Sequence, residues 1–139
     1  MRYLADTTYL IDLINGDDEA SALAEELDES SETVGLSVIS VEEYLRGIYY
    51  LYLYWDDKEL LKTKLIGARR DLSAFEILPV TDKIAAEAAK IEVAAIKGGE
   101  ALSLADVLIA SSAISLNLTL ITRNIKHFQR VPGLRIRSY

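Results

Sequence analysis

Short apolar runs alternate with helix-length segments along this chain, and that alternation restricts the fold more than any other feature. Tyr3-Leu4-Ala5, Thr33 to Ser37, Phe75 to Leu78, Leu118 to Thr122 and, more weakly, Leu134 to Arg137 read as strands. Between them, Thr8 to Ile14 reads as a helix closed by Asn15-Gly16, and Asp18 to Leu27 as an amphipathic one. A further helix runs from Ser40 through an aromatic stretch to about Trp55, and Asp56-Asp57 start another that reaches about Ser73. Asp82 to Ile96 repeats Ile84, Ala88, Ile91 and Ala95 at helical spacing and ends at Gly98-Gly99, and Leu104 to Leu116 follows as a nearly all-apolar helix. Strands joined by helices predict an α/β fold whose central, mostly parallel sheet is flanked by helices. The chain has no internal repeat, low-complexity tract or Pro/Gly-rich linker, and its 139 residues suit one domain, 1–139.

Composition removes whole classes of chemistry. With no cysteine, disulfides, thiol nucleophiles and cysteine-ligated metals are excluded, which fits a reducing, cytoplasmic setting. The single histidine, His127, rules out a multi-histidine metal site within one chain. The formal charge of −7 argues at first against a polyanionic partner. The segment from Thr122 to Tyr139 runs the other way: it holds Arg123, Lys126, Arg130, Arg135 and Arg137 and no acidic residue. An enzyme that meets a polyanion through metal needs positive charge only where the backbone enters. A solvated basic strand would have the same composition. The opening MRYLAD lacks the basic-then-apolar pattern of an export signal. Ala101 to Ile121 carries one charge, Asp106, but its four serines, Asn117 and Thr119 divide it into helix and strand, so no membrane span is expected.

Three acidic residues stand out by position. Asp6 follows the first strand directly, Glu43 lies in the first turn of the helix after the second strand, and Asp106 lies in the first turn of the apolar helix. In open α/β sheets ligands bind beyond the carboxyl ends of the strands. Thr122-Arg123-Asn124 leave a later strand at the same kind of place. Carboxylates brought together there repel one another unless a cation intervenes. Mg²⁺ prefers oxygen ligands and keeps waters that leave room for phosphate oxygens. A structural role would also account for each residue alone. Asp6 is a favourable N-cap, Ser40-Val41-Glu42-Glu43 fits a capping box, and Ser103-Leu104-Ala105-Asp106 fits its aspartate version.

Together these segments resemble the PIN-domain nucleases, and among them the VapC-type toxins of toxin–antitoxin pairs. Asp6-Thr7-Thr8-Tyr9-Leu10-Ile11 is similar to the family's opening D-T-x-x-L-I. Ser40 to Gly47 resembles its helix with a glutamate four residues before a glycine, which selects Glu43 over Glu42. Leu104 to Ala110 resembles its D-x-x-I-A helix, and Leu120 to Phe128 its closing T-x-N-x-x-H/D-F segment, extended by Val131-Pro132-Gly133-Leu134. The four motifs occur in order over nearly the whole chain.

The resemblance implies a PIN-like three-layer fold and a metal-dependent endoribonuclease that takes RNA as substrate and Mg²⁺ or Mn²⁺ as cofactor. Asp6, Glu43 and Asp106 would be the metal site and, with Asn124, the catalytic residues. Asp6 and Asp106 would bind metal most directly, and Glu43 would act through water. Asn124 stands where many relatives carry a fourth acid, which puts a second tightly held metal in doubt. Thr122 would orient a carboxylate or simply end a strand, and His127 is read as a structural turn residue rather than a base. The resemblance also suggests a homodimer and a cognate antitoxin as partners for the aromatic segment Tyr44, Tyr49, Tyr50, Tyr52, Tyr54 and Trp55. No helix can bury all six against one core; stacking on RNA bases is the lesser alternative. The rival in another class is a PIN-like binding or scaffold protein with a weakened site. A phosphoacceptor receiver fails, because Thr33 to Ser37 ends without an aspartate and Arg123 replaces the expected lysine. A D-x-D phosphatase fails because Thr8 stands two residues after Asp6.

Overall fold

A computed structural model describes residues 1–54 and 56–139. Twelve elements follow one another among them: β1 (Tyr3–Ala5), α1 (Thr7–Ile14), α2 (Asp18–Glu29), β2 (Val34–Ser37), α3 (Val38–Leu51), α4 (Lys58–Leu72), β3 (Glu76–Leu78), α5 (Asp82–Lys97), α6 (Leu104–Ser115), β4 (Thr119–Ile121), α7 (Ile125–Phe128) and β5 (Ile136–Arg137). The five strands form one sheet in the order β3-β2-β1-β4-β5, and every pair is parallel. The expected alternation is therefore present, and the sheet is parallel throughout.

Successive strand residues face opposite sides of the sheet, and each side has its own core. Leu4 and Leu120 point to a core with Ala88 and Ile91 of α5, Val107, Ile109, Ala110 and Ala113 of α6, and Phe128 of α7. Ala5, Leu36 and Ile121 point to the other, with Tyr9 and Leu10 of α1, Leu23 and Leu27 of α2, and Leu72 of α4. This yields three layers, helices on sheet on helices. The apolar α6 lies against α5 and holds its serines without loss: Ser111 donates to the Ile84 carbonyl at 2.5 Å and Ser112 to the Leu108 carbonyl at 2.8 Å. Asn117, at φ +56, turns the chain from α6 into β4. Among the described residues no helix is long and apolar enough to cross a membrane.

Two boundaries differ from the sequence reading in ways that matter below. α3 starts at Val38, not Ser40, because Ser37 leaves β2 in extended geometry and its hydroxyl accepts the Ile39 amide at 3.1 Å. α3 ends at Leu51, short of Trp55, which lies outside the described residues. The turn carrying Lys126, His127 and Phe128, which no strand-or-helix pattern marked, is the short α7.

Candidate active site

β1 and β4 are neighbours at the centre of the sheet, and from them the strand order runs outward in opposite directions. The loops leaving a parallel sheet at such a reversal part to leave a crevice. Asp6 leaves β1 there, and Thr122 to Asn124 leave β4. The Asp6 amide donates to the Ile121 carbonyl at 3.1 Å and ties the two strand ends together.

Asp6 is only 4 % exposed. Its Oδ1 accepts the Tyr9 amide at 2.7 Å, so it is the N-cap of α1, the structural role its position suggests. The cap does not settle its charge. Burial pushes the carboxyl up to about 6, against the pull of hydrogen bonds from the Thr122 hydroxyl and the Tyr9 amide, and the nearby charges of Asp106 and Asp12 push the same way as burial. The charge of Asp106 is thus close enough to disfavour ionisation of Asp6.

Glu43 lies in the second turn of α3. The capping box read from Ser40 and Glu43 does not form, since Ser37 is the cap and Ser40 is fully buried inside the helix. Glu43 Oε1 instead accepts the Thr7 hydroxyl at 2.6 Å. Thr7 Oγ1 also lies 2.9 Å from Ser40 Oγ. One threonine proton cannot serve both, so the Ser40 hydroxyl donates to Thr7. The residue next to Asp6 thereby holds the carboxylate of Glu43, from a different helix. Arg46 approaches Glu43 from the other side at 3.8 Å.

Asp106 lies in the first turn of α6. Its amide donates to the Ser103 hydroxyl at 3.1 Å, the N-cap half of the expected motif. Its carboxylate Oδ2 lies 2.6 Å from His127 Nε2. The His127 ring stands edge-on to Phe128, which is buried, so a core side chain sets the place of a site side chain. Asn124 is less engaged: its amide donates to Thr122 Oγ1 at 2.9 Å, while its side chain is exposed and makes no capping bond.

Sequence reasoning missed two neighbours of the site carboxylates, Thr7 and Asp12, and the partners of a third residue, Arg123. Thr7 lies inside a recognisable motif, yet only the tertiary distance to Glu43 reveals its role. Asp12 adds charge beside Asp6 while accepting the Tyr139 hydroxyl at 2.7 Å. Arg123 reaches Asp17, Glu19 and Asp12 and lies 4.6 Å over the Tyr139 ring. The basic C-terminal segment is largely spent within the molecule, with Arg130 on Glu100 and Arg137 on Glu26.

Among the described residues no three acidic or histidine side chains are grouped so as to hold a metal ion as placed. Asp6 and Asp106 nonetheless fit a hard divalent cation. Their donors are all oxygen, the charge of Asp106 disfavours ionisation of Asp6, and Mg²⁺ is commonly held by one or two carboxylates with water and phosphate completing its shell.

Residues 3–134 match the family model described as PIN domain. The chain is 30 % identical over 139 residues to Ribonuclease VapC2 of Rickettsia felis, covering all of this chain and 98 % of that protein. It superposes with a TM-score of 0.83 on the crystal structure of VapBC2 from Rickettsia felis bound to a promoter DNA fragment, at 29 % identity over 100 % of this chain and 99 % of the other. A toxin–antitoxin complex from Klebsiella pneumoniae also matches, with a TM-score of 0.69 and 29 % identity over 95 % and 94 % of the two chains.

Proposed function

The chain belongs to the PIN-domain family, and from that premise we propose that it is the ribonuclease toxin of a toxin–antitoxin pair, hydrolysing RNA with Mg²⁺ or Mn²⁺ held at Asp6 and Asp106. The observation that carries the reading is that Asp6, buried where the strand order reverses, lies within reach of the charge of Asp106. The relatives' names support ribonuclease action and an antitoxin partner.

Asp6 and Asp106 would hold the cation, which when bound would supply Lewis-acid activation of the phosphodiester and of a water nucleophile. The chain's own residues prepare that step. Asp6, fixed by the Tyr9 amide and the Thr122 hydroxyl, keeps one orientation. His127 fixes Asp106. Glu43, steered by Thr7, orients the attacking water and accepts its proton. Asn124, exposed beside Thr122, offers an amide oxygen to the substrate side of the site. The N-termini of α1 and α6 add a favourable field for the anionic backbone. The exposed Leu53 and Tyr54 after α3 and Ile66 midway along α4 supply apolar surface that a cognate antitoxin or a second copy of the chain would cover.

Cleavage of structured RNA by antitoxin-free protein tests this, with Mn²⁺ or Mg²⁺, with EDTA, and beside Asp106→Asn. Metal-dependent cutting that the variant loses is the expected result. Equal cutting by both proteins would move the chemistry elsewhere. No cutting with either metal across a broad RNA panel would leave a PIN fold that acts by binding.

A further inference from the structure

We propose that the face of α3 bearing Glu43, Arg46 and Tyr50 is a nucleotide subsite, where Arg46 pairs with the phosphate next to the scissile one and Tyr50 stacks on a base. The proposal rests on the ribonuclease reading above.

Glu43, Arg46 and Tyr50 stand at i, i+3 and i+7, the spacing that places side chains along one side of a helix. At about 1.5 Å per residue, Tyr50 begins roughly 10 Å along the axis from Glu43. The three side chains, with Gly47 and Leu51, line an open groove of about 370 Å³. A Cβ built on Gly47 would meet nothing within 4 Å, so the groove floor is bare backbone open to an approaching ligand. The stripe therefore leads away from a proposed catalytic carboxylate and offers a cation, then open backbone, then an aromatic face.

The electrostatics favour a phosphate over the present partners of Arg46. The nearer of its two carboxylate partners is Glu42, at 2.9 Å, with side-chain exposures of 63 % and 59 % for the two residues, and Glu43 lies farther off at 3.8 Å. An exposed pair of this kind contributes little, whereas a guanidinium grips a phosphate with two parallel hydrogen bonds. Arg123, by contrast, faces three carboxylates at once. With a net charge of −7, long-range attraction of RNA is weak, and a cation beside the reacting centre carries more of the binding. Tyr50 is 69 % exposed. Aromatic rings so placed stack on any base, which gives affinity without sequence choice.

The test measures binding apart from cutting. A fluorescein-labelled, mixed-sequence 12-nucleotide RNA is titrated by anisotropy into Asp106→Asn protein, alone and combined with Arg46→Gln, Tyr50→Ala or Tyr50→Phe, and the same α3 substitutions are assayed for cleavage in the otherwise wild-type chain. We expect Arg46→Gln to weaken binding about tenfold and to lower the salt slope by about one. Tyr50→Ala should weaken it about tenfold while Tyr50→Phe binds as the parent does. In cleavage the Tyr50→Ala loss should appear in KM, with kcat within about twofold, and Arg46→Gln should raise KM by as much as it weakens binding. If the wild-type protein cuts RNA and every α3 variant binds and cuts as it does, the subsite falls and the ribonuclease reading stands. If the α3 variants keep RNA affinity but lose antitoxin binding or change oligomeric state, the stripe is a protein interface and the proposal is wrong. If the wild-type protein neither binds nor cuts RNA, the ribonuclease reading fails first and the subsite with it.

Discussion

His127 Nε2 lies 2.6 Å from Asp106 Oδ2, across 21 residues of sequence. The histidine is thus a partner of a proposed metal-binding carboxylate, and its own place is set by the buried Phe128 beside it. A bond of this kind fixes the rotamer of the carboxylate, and outer partners of metal ligands commonly change affinity or activity by 10–100-fold. We expect His127→Ala to lower Mn²⁺-dependent cleavage about tenfold and to weaken Mn²⁺ binding in calorimetry. His127→Gln, whose amide can still donate, should recover most of both. Unchanged cleavage in His127→Ala would make the contact incidental.

Thr7 joins the two halves of the site through its 2.6 Å bond to Glu43. Thr7→Val keeps the shape and removes the donor. We expect kcat to fall by about 10–100-fold, part of the roughly 10²–10⁴-fold that a positioned general base contributes, with KM for RNA little changed. Thr7→Ser should stay within about threefold of wild type. Equal losses in the two variants would point to packing instead of the hydrogen bond.

Asp6 links the site to stability. Its folded value of about 6 exceeds the unfolded value of 3.8, so the native state holds this proton more tightly than the unfolded chain does. The stability it contributes is full below about 3.8, falls as pH rises towards 6, and is gone above that. A shift of about two pH units corresponds to about 3 kcal/mol. In EDTA, Asp6→Asn should therefore melt above wild type at pH 8, with the gap closing near pH 4. Mg²⁺ should raise the melting temperature of wild type and leave that of Asp6→Asn unchanged. A gap independent of pH would remove the charge conflict from the account.

Tyr139 closes the far side of the site from the C-terminal segment. Its ring meets Tyr9 edge-on at 5.0 Å, lies under Arg123 at 4.6 Å, and its hydroxyl donates to Asp12 at 2.7 Å. Aromatic and cation–π contacts of this type each contribute about 0.5–1.5 kcal/mol. Tyr139→Ala should cost about 2 kcal/mol in urea unfolding and Tyr139→Phe about half that. No change in either variant would show the segment to be loosely held.

Much of this architecture is legible in the sequence. The strand at Tyr3–Ala5 and the helix from Asp82 follow from local apolar pattern, because burial makes a short run continuously apolar in the one and sets apolar residues at helical spacing in the other. The positions of Asp6 and Asp106 at segment starts follow from the same pattern. The start of α3 is harder to read, because Ser37 and Ser40 are both plausible caps, and only the extended backbone of Ser37 and the burial of Ser40 decide between them. The composition of the C-terminal segment suggests a surface for a polyanion, yet Arg123, Arg130 and Arg137 find carboxylates distant in sequence.

Local pattern is enough to specify the parallel α/β architecture, the two-sided core, and which acidic residues stand where strands give way to helices. Each of these rests on periodicity or on the end of an element, and neighbouring residues encode both. Three other outcomes required the folded chain: that Thr7 holds Glu43, that His127 holds Asp106, and that burial raises the Asp6 carboxyl above its ordinary range. They depend on distances between segments 21 to 36 residues apart and on exclusion of water. Hydrogen bonds and desolvation act through space over a few ångströms, and linear spacing does not record which side chains share that space.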